Sequence, residues 1–180
     1  MNTYKLKQPI LKNSCEEIHI YNSDDEDLGY IKRIFNGGTH FLFDLLFDEW
    51  FIHLDVYNKS SQLVYEIREK TNFSIKEMFR SKWFYKSQFC EPDVFTGMMF
   101  DKTLIKTNPR FLFEFQGESF FISGDIGDKI TRIYDKDGQL IATIERINLI
   151  PKQVIINIKE DSILNFYLVA SFYYLFDLKR

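Results

Sequence analysis

Val56-Tyr-Asn-Lys-Ser-Ser-Gln-Leu-Val-Tyr-Glu-Ile67 can be laid over Ile133-Tyr-Asp-Lys-Asp-Gly-Gln-Leu-Ile-Ala-Thr-Ile144 without a gap, and the two share Tyr, Lys, Gln, Leu and Ile at matching positions. Each reads as apolar strand, polar turn, apolar strand. In the first, Lys59-Ser-Ser61 separates 51–58 from 62–69, where Leu63, Tyr65 and Ile67 fall on one face by the two-residue period of a strand. In the second, Asp135-Lys-Asp-Gly138 makes the reversal, a type I or I′ hairpin turn. A looser third copy sets Ile20-Tyr-Asn22 against Leu28-Gly-Tyr-Ile-Lys-Arg33 across the acidic run Asp24–Asp27. One hairpin cannot bury its own apolar face, so a hairpin repeated at this spacing predicts a barrel or layered sheet built by duplication.

On either side of these hairpins, strands are expected over 4–11, which Pro9 ends or places at an edge, then over 18–21 and 28–35, with Asn36-Gly-Gly38 turning the chain. The stretch 41–50 is read as a strand. Phe73-Ser-Ile-Lys-Glu77-Met78 carries a Ser cap, a Glu three residues on and a Phe/Met staple, which predicts a short helix from Ile75. Lys76 and Arg80 share a face of that helix, and Lys82 and Lys86 follow with Trp83, Phe84 and Tyr85. Residues 89–108 show no sustained period and are expected as a long connection, so that 72–108 reads as an irregular, insertion-like segment. Strands resume over 111–115, 119–123, 129–134, 139–147 and 153–159. Glu160-Asp-Ser162 signals a closing helix whose Lys179 and Arg180 suit the negative end of its dipole.

The composition agrees with sheet. Among 180 residues, 45% are apolar and 17% aromatic, with 19 Phe and 10 Tyr, so rings must fill much of the interior. That length fits one core. The run 163–178 is apolar on every side yet too short to span a bilayer as a helix, which makes it a core element. A net charge of −3 gives no global attraction to nucleic acid. Cys15 and Cys90 stand alone in a chain that starts Met-Asn-Thr-Tyr-Lys, without the basic and apolar regions of a signal peptide, so a reducing cytoplasm is the expected compartment.

The motif Ile133-Tyr-Asp-x-Asp-Gly-x-Leu-Ile-Ala-x-Ile144, preceded by Phe113-Glu-Phe-Gln-Gly117 and followed by one strand and an apolar terminal helix, resembles the LURP-one-related and tubby C-terminal-like superfamily, which includes the phospholipid scramblases. The resemblance is good over 110–180, fair over 51–70 and weak before that. It implies a mainly β fold, a closed barrel of about a dozen strands around a hydrophobic C-terminal helix, with 163–178 threading the barrel. Tubby proteins bind phosphoinositide head groups through basic residues on the barrel surface. No matching basic motif can be carried over here, and the scramblases' calcium-binding segment has no counterpart.

No catalytic apparatus or cofactor motif is legible. His19, His40 and His53 lack companions at metal-ligand spacing and are read as structural. Asp135-x-Asp137-Gly138 lacks the later ligands of a calcium loop. Gly124-Asp-Ile-Gly-Asp128 lacks the Gly-Lys-Ser/Thr ending of a phosphate cradle. Asp24–Asp27 is read as a solvated loop, and Cys90 has no nearby base. The cations Lys76, Arg80, Lys82 and Lys86, interleaved with rings, are the residue types a peripheral membrane site needs; a helix with its solvated face outward uses the same ones. The expectation is therefore a non-enzymatic binding or scaffolding module whose partners are phospholipid head groups or a membrane-associated protein. The alternative is a structural or protein-interaction domain with no small ligand.

Overall fold

The computed structural model describes residues 1–9, 14–35, 52–70, 81–88, 96–104, 107–125, 127–149 and 152–179. Twelve strands run in chain order: β1 (Asn2–Gln8), β2 (Ile18–Asn22), β3 (Asp27–Ile34), β4 (His53–Asn58), β5 (Leu63–Glu69), β6 (Lys82–Ser87), β7 (Thr96–Asp101), β8 (Arg110–Phe115), β9 (Glu118–Ser123), β10 (Ile130–Asp135), β11 (Leu140–Leu149) and β12 (Lys152–Ile158). The helix α1 (Phe166–Leu178) follows. Every strand pairs antiparallel with its neighbours in sequence, and β1 closes the barrel on β12 from Asn2↔Ile158 to Gln8↔Lys152. The helix sits inside.

Alternation explains the wall. Ile31 and Arg33 of β3, Leu54 and Val56 of β4, Phe111, Phe113 and Phe115 of β8, and Val154, Ile156 and Ile158 of β12 are buried inward, while Lys32, Asp55, Leu112, Glu114, Ile155 and Asn157 between them are less buried. Size explains the plug. Twelve strands about 4.8 Å apart and tilted near 40° give a backbone radius of roughly 12 Å. A helix about 10–12 Å across then leaves roughly 6–7 Å all round, one layer of side chains. Twelve of the thirteen residues of α1 are buried, as an interior helix requires. Phe172 meets Phe113 and Tyr85 edge-on at ring-centroid distances of 4.7 and 5.1 Å, and Phe176 meets Phe111 at 5.2 Å.

The sequence repeat is a repeated turn. At Asn22, Asn58 and Asp135 the amide donates to the carbonyl four residues on, and the amide three residues on donates back. In each, the side-chain Oδ1 accepts from the amides two and four residues ahead at 2.8–3.0 Å. The residue three after the Asx, Asp25, Ser61 or Gly138, has positive φ, and the register slips at Ile20/Tyr21, Val56/Tyr57 and Ile133/Tyr134. This is a type I turn with a bulge, and the Asx side chain holds it.

Two sequence readings change. Residues 82–87 and 96–101, expected within an irregular segment, are β6 and β7, paired with each other and with β5 and β8. Lys82 and Lys86 therefore lie on a strand and share its outward side because they are even-spaced, not through a helical turn. The closing helix begins later than Glu160-Asp-Ser162. Asn165 is its cap, accepting from the Leu168 amide at 3.0 Å, while the Ser162 hydroxyl accepts from Leu164 just before it. The strand expected over 41–50, the helix expected from Ile75, and Lys76, Arg80, His40 and Cys90 lie outside the described residues.

Candidate functional site

A barrel filled by its own helix leaves its ends and its outer wall for contact. The wall from β5 to β9 departs from the usual polar exterior. Inward, β6 buries Trp83, Tyr85 and Ser87; outward, it presents Lys82, Phe84 and Lys86. Register carries this face sideways, with Phe84 opposite Arg68 and Met98, and Lys82 opposite Phe100, which is opposite Leu112, which is opposite Phe121. Phe84, Met98 and Phe121, on β6, β7 and β9, are 40%, 38% and 44% exposed; on the described part of β11, Leu140 and Ile147 reach 40% and 49%.

Cations frame these rings. Lys70 Nζ stands 5.3 Å from the Phe84 ring centre and Lys102 Nζ 5.5 Å from that of Phe100, so each ammonium lies over an outward aromatic face. Lys86 is opposite Glu66, and Arg68 is held by Asp55 and Glu66. Arg110 pairs with Asp125 at 3.3 Å. On the outward side Arg68, Lys70, Lys82, Lys86, Lys102 and Arg110 meet the carboxylates Asp55, Glu66, Glu114 and Asp125, an excess of cations confined to that side, since Glu69, Asp101 and Glu118 sit at the ends of β5, β7 and β9 in the inward register. Of the four residues singled out from sequence, Lys82 and Lys86 are thus brought together. The outward apolar residues Met98, Phe100 and Phe121 were not singled out.

The opposite wall has another character. His19, Tyr21, Tyr30 and Tyr57 contact one another ring to ring across β2–β4. His19 Nδ1 lies 2.7 Å from Asp27, and Glu17 lies 3.5 Å from Lys32. The acidic run Asp24–Asp27 tips the β2–β3 hairpin. There the Asp25 carboxyl is held below the usual carboxylate range by its hydrogen bond from Lys5 and by that ammonium's charge. A depression of about 200 Å³ lies over the turn of β10 and β11, lined by Glu118, Phe120, Asp135, Gln139 and Lys159 among others. Asp135 is engaged there in its own turn, and Lys159 in a 3.2 Å pair with Asp161.

Buried polar groups serve the helix. At its first turn Asn165 Nδ2 donates to the Tyr65 hydroxyl, and the Tyr167 hydroxyl donates to the Leu28 carbonyl at 2.6 Å. At its last turn Asp177 is paired with Arg146 at 3.1 Å and with Lys152, while Lys179 reaches Glu69 at 3.4 Å. A carboxylate near a helix C-terminus opposes the dipole, and the two cations offset it. Burial pushes the Tyr85 hydroxyl far above the ordinary phenol range, with nearby Tyr65 and Glu114 adding to the effect; it donates to the Glu114 carbonyl. Burial also raises Tyr4 and Tyr167. These phenols stay neutral donors. No group of three or more His, Cys, Asp or Glu converges on a metal position among the described residues. His53 is buried and accepts from the Glu69 amide at 3.1 Å.

A family model for the Tubby C-terminal like domain matches residues 4–180. The chain belongs to that family. A solved neighbour, the X-ray structure of a protein from Arabidopsis thaliana (AT5G01750), superimposes with a TM-score of 0.54 at 11% identity, over 98% of this chain and 89% of that one. At that identity the likeness bears on fold alone, and the fold agrees with the barrel and internal helix of the Tubby C-terminal like domain. No curated protein matches the chain in sequence. Closure gives this Tubby C-terminal like barrel no free strand edge among the described strands, so a peptide cannot add to the sheet. No helix among the described residues is long and apolar enough to cross a membrane.

Proposed function

We propose that this Tubby C-terminal like domain is a non-enzymatic binding module of the cytoplasm that docks on anionic phospholipid head groups at a membrane surface. The observation that carries the reading is the outer wall of β5–β8, where Lys70, Lys82, Lys86 and Lys102 stand around Phe84, Met98 and Phe100. Cations near an anionic leaflet each contribute about 1 kcal/mol, so a handful suffices for reversible docking. Lys76 and Arg80, close by in the sequence, belong to the same proposed cation set. A non-enzymatic role fits a domain whose interior is filled by its own helix and whose shifted phenols are moved away from neutrality.

Co-sedimentation with vesicles of phosphatidylcholine, with and without phosphatidylserine, tests this at low and physiological salt. Binding that needs the anionic lipid, weakens with salt and is lost when Lys76, Arg80, Lys82 and Lys86 are changed to Glu is the expected result. No binding to either composition would discard lipid docking and leave a protein-interaction or purely structural domain, for which the exposed apolar wall would be the contact surface.

A further inference from the structure

Resting on the lipid-docking reading, we infer that the barrel lies on its side against an anionic bilayer, with Phe84, Met98 and Phe121 entering the head-group region while the surrounding cations meet the phosphates. Three observations lead there. Three exposed apolar residues, Phe84, Met98 and Phe121, fall on β6, β7 and β9, which span roughly 15 Å at sheet spacing, and they stand on the wall among Lys70, Lys82, Lys86 and Lys102; Leu140 and Ile147, exposed on β11, have no ammonium over an aromatic ring beside them among the described residues. The wall is convex, so it offers a ridge of separate apolar knobs; a small ligand needs a concavity, whereas a deformable lipid surface accepts knobs. Lys70 and Lys102 lie over the outward aromatic faces, pairing each charge with a ring in the arrangement suited to the water–lipid boundary.

Charge selects the occupant. A second copy of the chain would bring the same cationic wall against itself and be repelled, whereas an anionic lipid surface is complementary. Across the barrel, six strands from β8, the β2–β3 hairpin carries Asp24, Asp25, Glu26 and Asp27. On that side Lys5, Lys7 and Lys32 of β1 and β3 offset the carboxylates, Lys5 being paired with Asp25, so the cations around Phe84 and Phe100, and not a dipole across the barrel, choose the face that meets the lipid.

The test places an environment-sensitive fluorophore on single cysteines in the full chain after Cys15→Ser and Cys90→Ser. Positions are Met98→Cys and Phe121→Cys on the proposed face, Thr3→Cys on β1, six strands from β7, and Ser23→Cys on the acidic hairpin. With phosphatidylcholine–phosphatidylserine vesicles, emission should shift to the blue at 98 and 121 and stay unchanged at 3 and 23. The triple variant Phe84→Ser, Met98→Ser, Phe121→Ser should bind these vesicles about tenfold or more weakly at salt that screens the charges, since each buried ring or thioether contributes through apolar area. Vesicle-bound protein with unshifted reporters at 98 and 121, or with a shift at 3 or 23, would overturn the orientation and leave lipid docking standing. Failure of every form to sediment with vesicles would overturn both.

Discussion

The three Asx turns solve one backbone problem with three residues. The position three after the Asx takes positive φ: 62° at Asp25, 56° at Ser61 and 78° at Gly138. Only the last is glycine, for which the left-handed region carries no Cβ penalty. Ser61→Gly should therefore raise stability by about 0.5–1 kcal/mol and Gly138→Ala should lower it by a similar amount, both read from urea midpoints; no change at Ser61 would mean that its strain is already relieved. Gly97 is a different case, its position being set by a neighbour and not by φ. A Cβ there would overlap the Tyr85 ring, whose hydroxyl is tied to the Glu114 carbonyl. Gly97→Ala is expected to cost about 1–3 kcal/mol, and the pair Gly97→Ala with Tyr85→Phe to cost nearly as much, because the overlap is with the ring as well as the hydroxyl. A Gly97→Ala melting temperature within a degree of wild type would show that β6 and β7 separate easily.

At the scale of elements, legibility followed alternation. Strands β4, β5, β10, β11 and β12 could be read because apolar inward positions alternate with polar outward ones, and Asn58 and Asp135 mark the turns. Strands β6 and β7 could not. Lys82-Trp-Phe-Tyr-Lys-Ser87 places three rings in a row and Thr96-Gly-Met-Met-Phe-Asp101 places apolar residues on both faces, so the two-residue period vanishes. The period vanishes there because the outward side of the wall is itself apolar, at Phe84 and Met98. Lys82 and Lys86 were visible in the sequence as cations interleaved with rings, while the outward rings on β7 and β9, Phe100 and Phe121, became visible only through register. The buried end of α1 was equally hidden, since Asp177, Arg146 and Lys152 are brought together from separate elements. Asp177→Ala leaves two largely buried cations, Arg146 and Lys152, without this carboxylate and should cost about 2–4 kcal/mol, less in an Arg146→Met background. Equal losses in both backgrounds would dissolve the proposed coupling.

For the whole molecule, the barrel and helix are one cooperative object. The inward faces of all twelve strands converge on α1, and Leu168 and Phe172 are wholly buried where they converge. Without the helix the interior would be a water-exposed apolar cavity some 10–12 Å wide, which closed barrels of this size do not sustain with side chains from the wall alone. Truncation before Asp161 should accordingly give insoluble or molten protein, with near-UV circular dichroism lost. Phe172→Asp should do the same at full length by burying a charge with no partner. The two changes differ in one respect that makes the test sharp. Truncation also removes the Asp177–Arg146–Lys152 pairs and the contacts of Asn165 and Tyr167, while Phe172→Asp leaves all of these groups in the chain. If the helix acts mainly as apolar core, both variants fail alike in urea titrations, with no cooperative transition. If Phe172→Asp keeps a cooperative transition while truncation abolishes it, the polar anchors at the two ends of α1 hold the barrel closed and the rings between them only fill it.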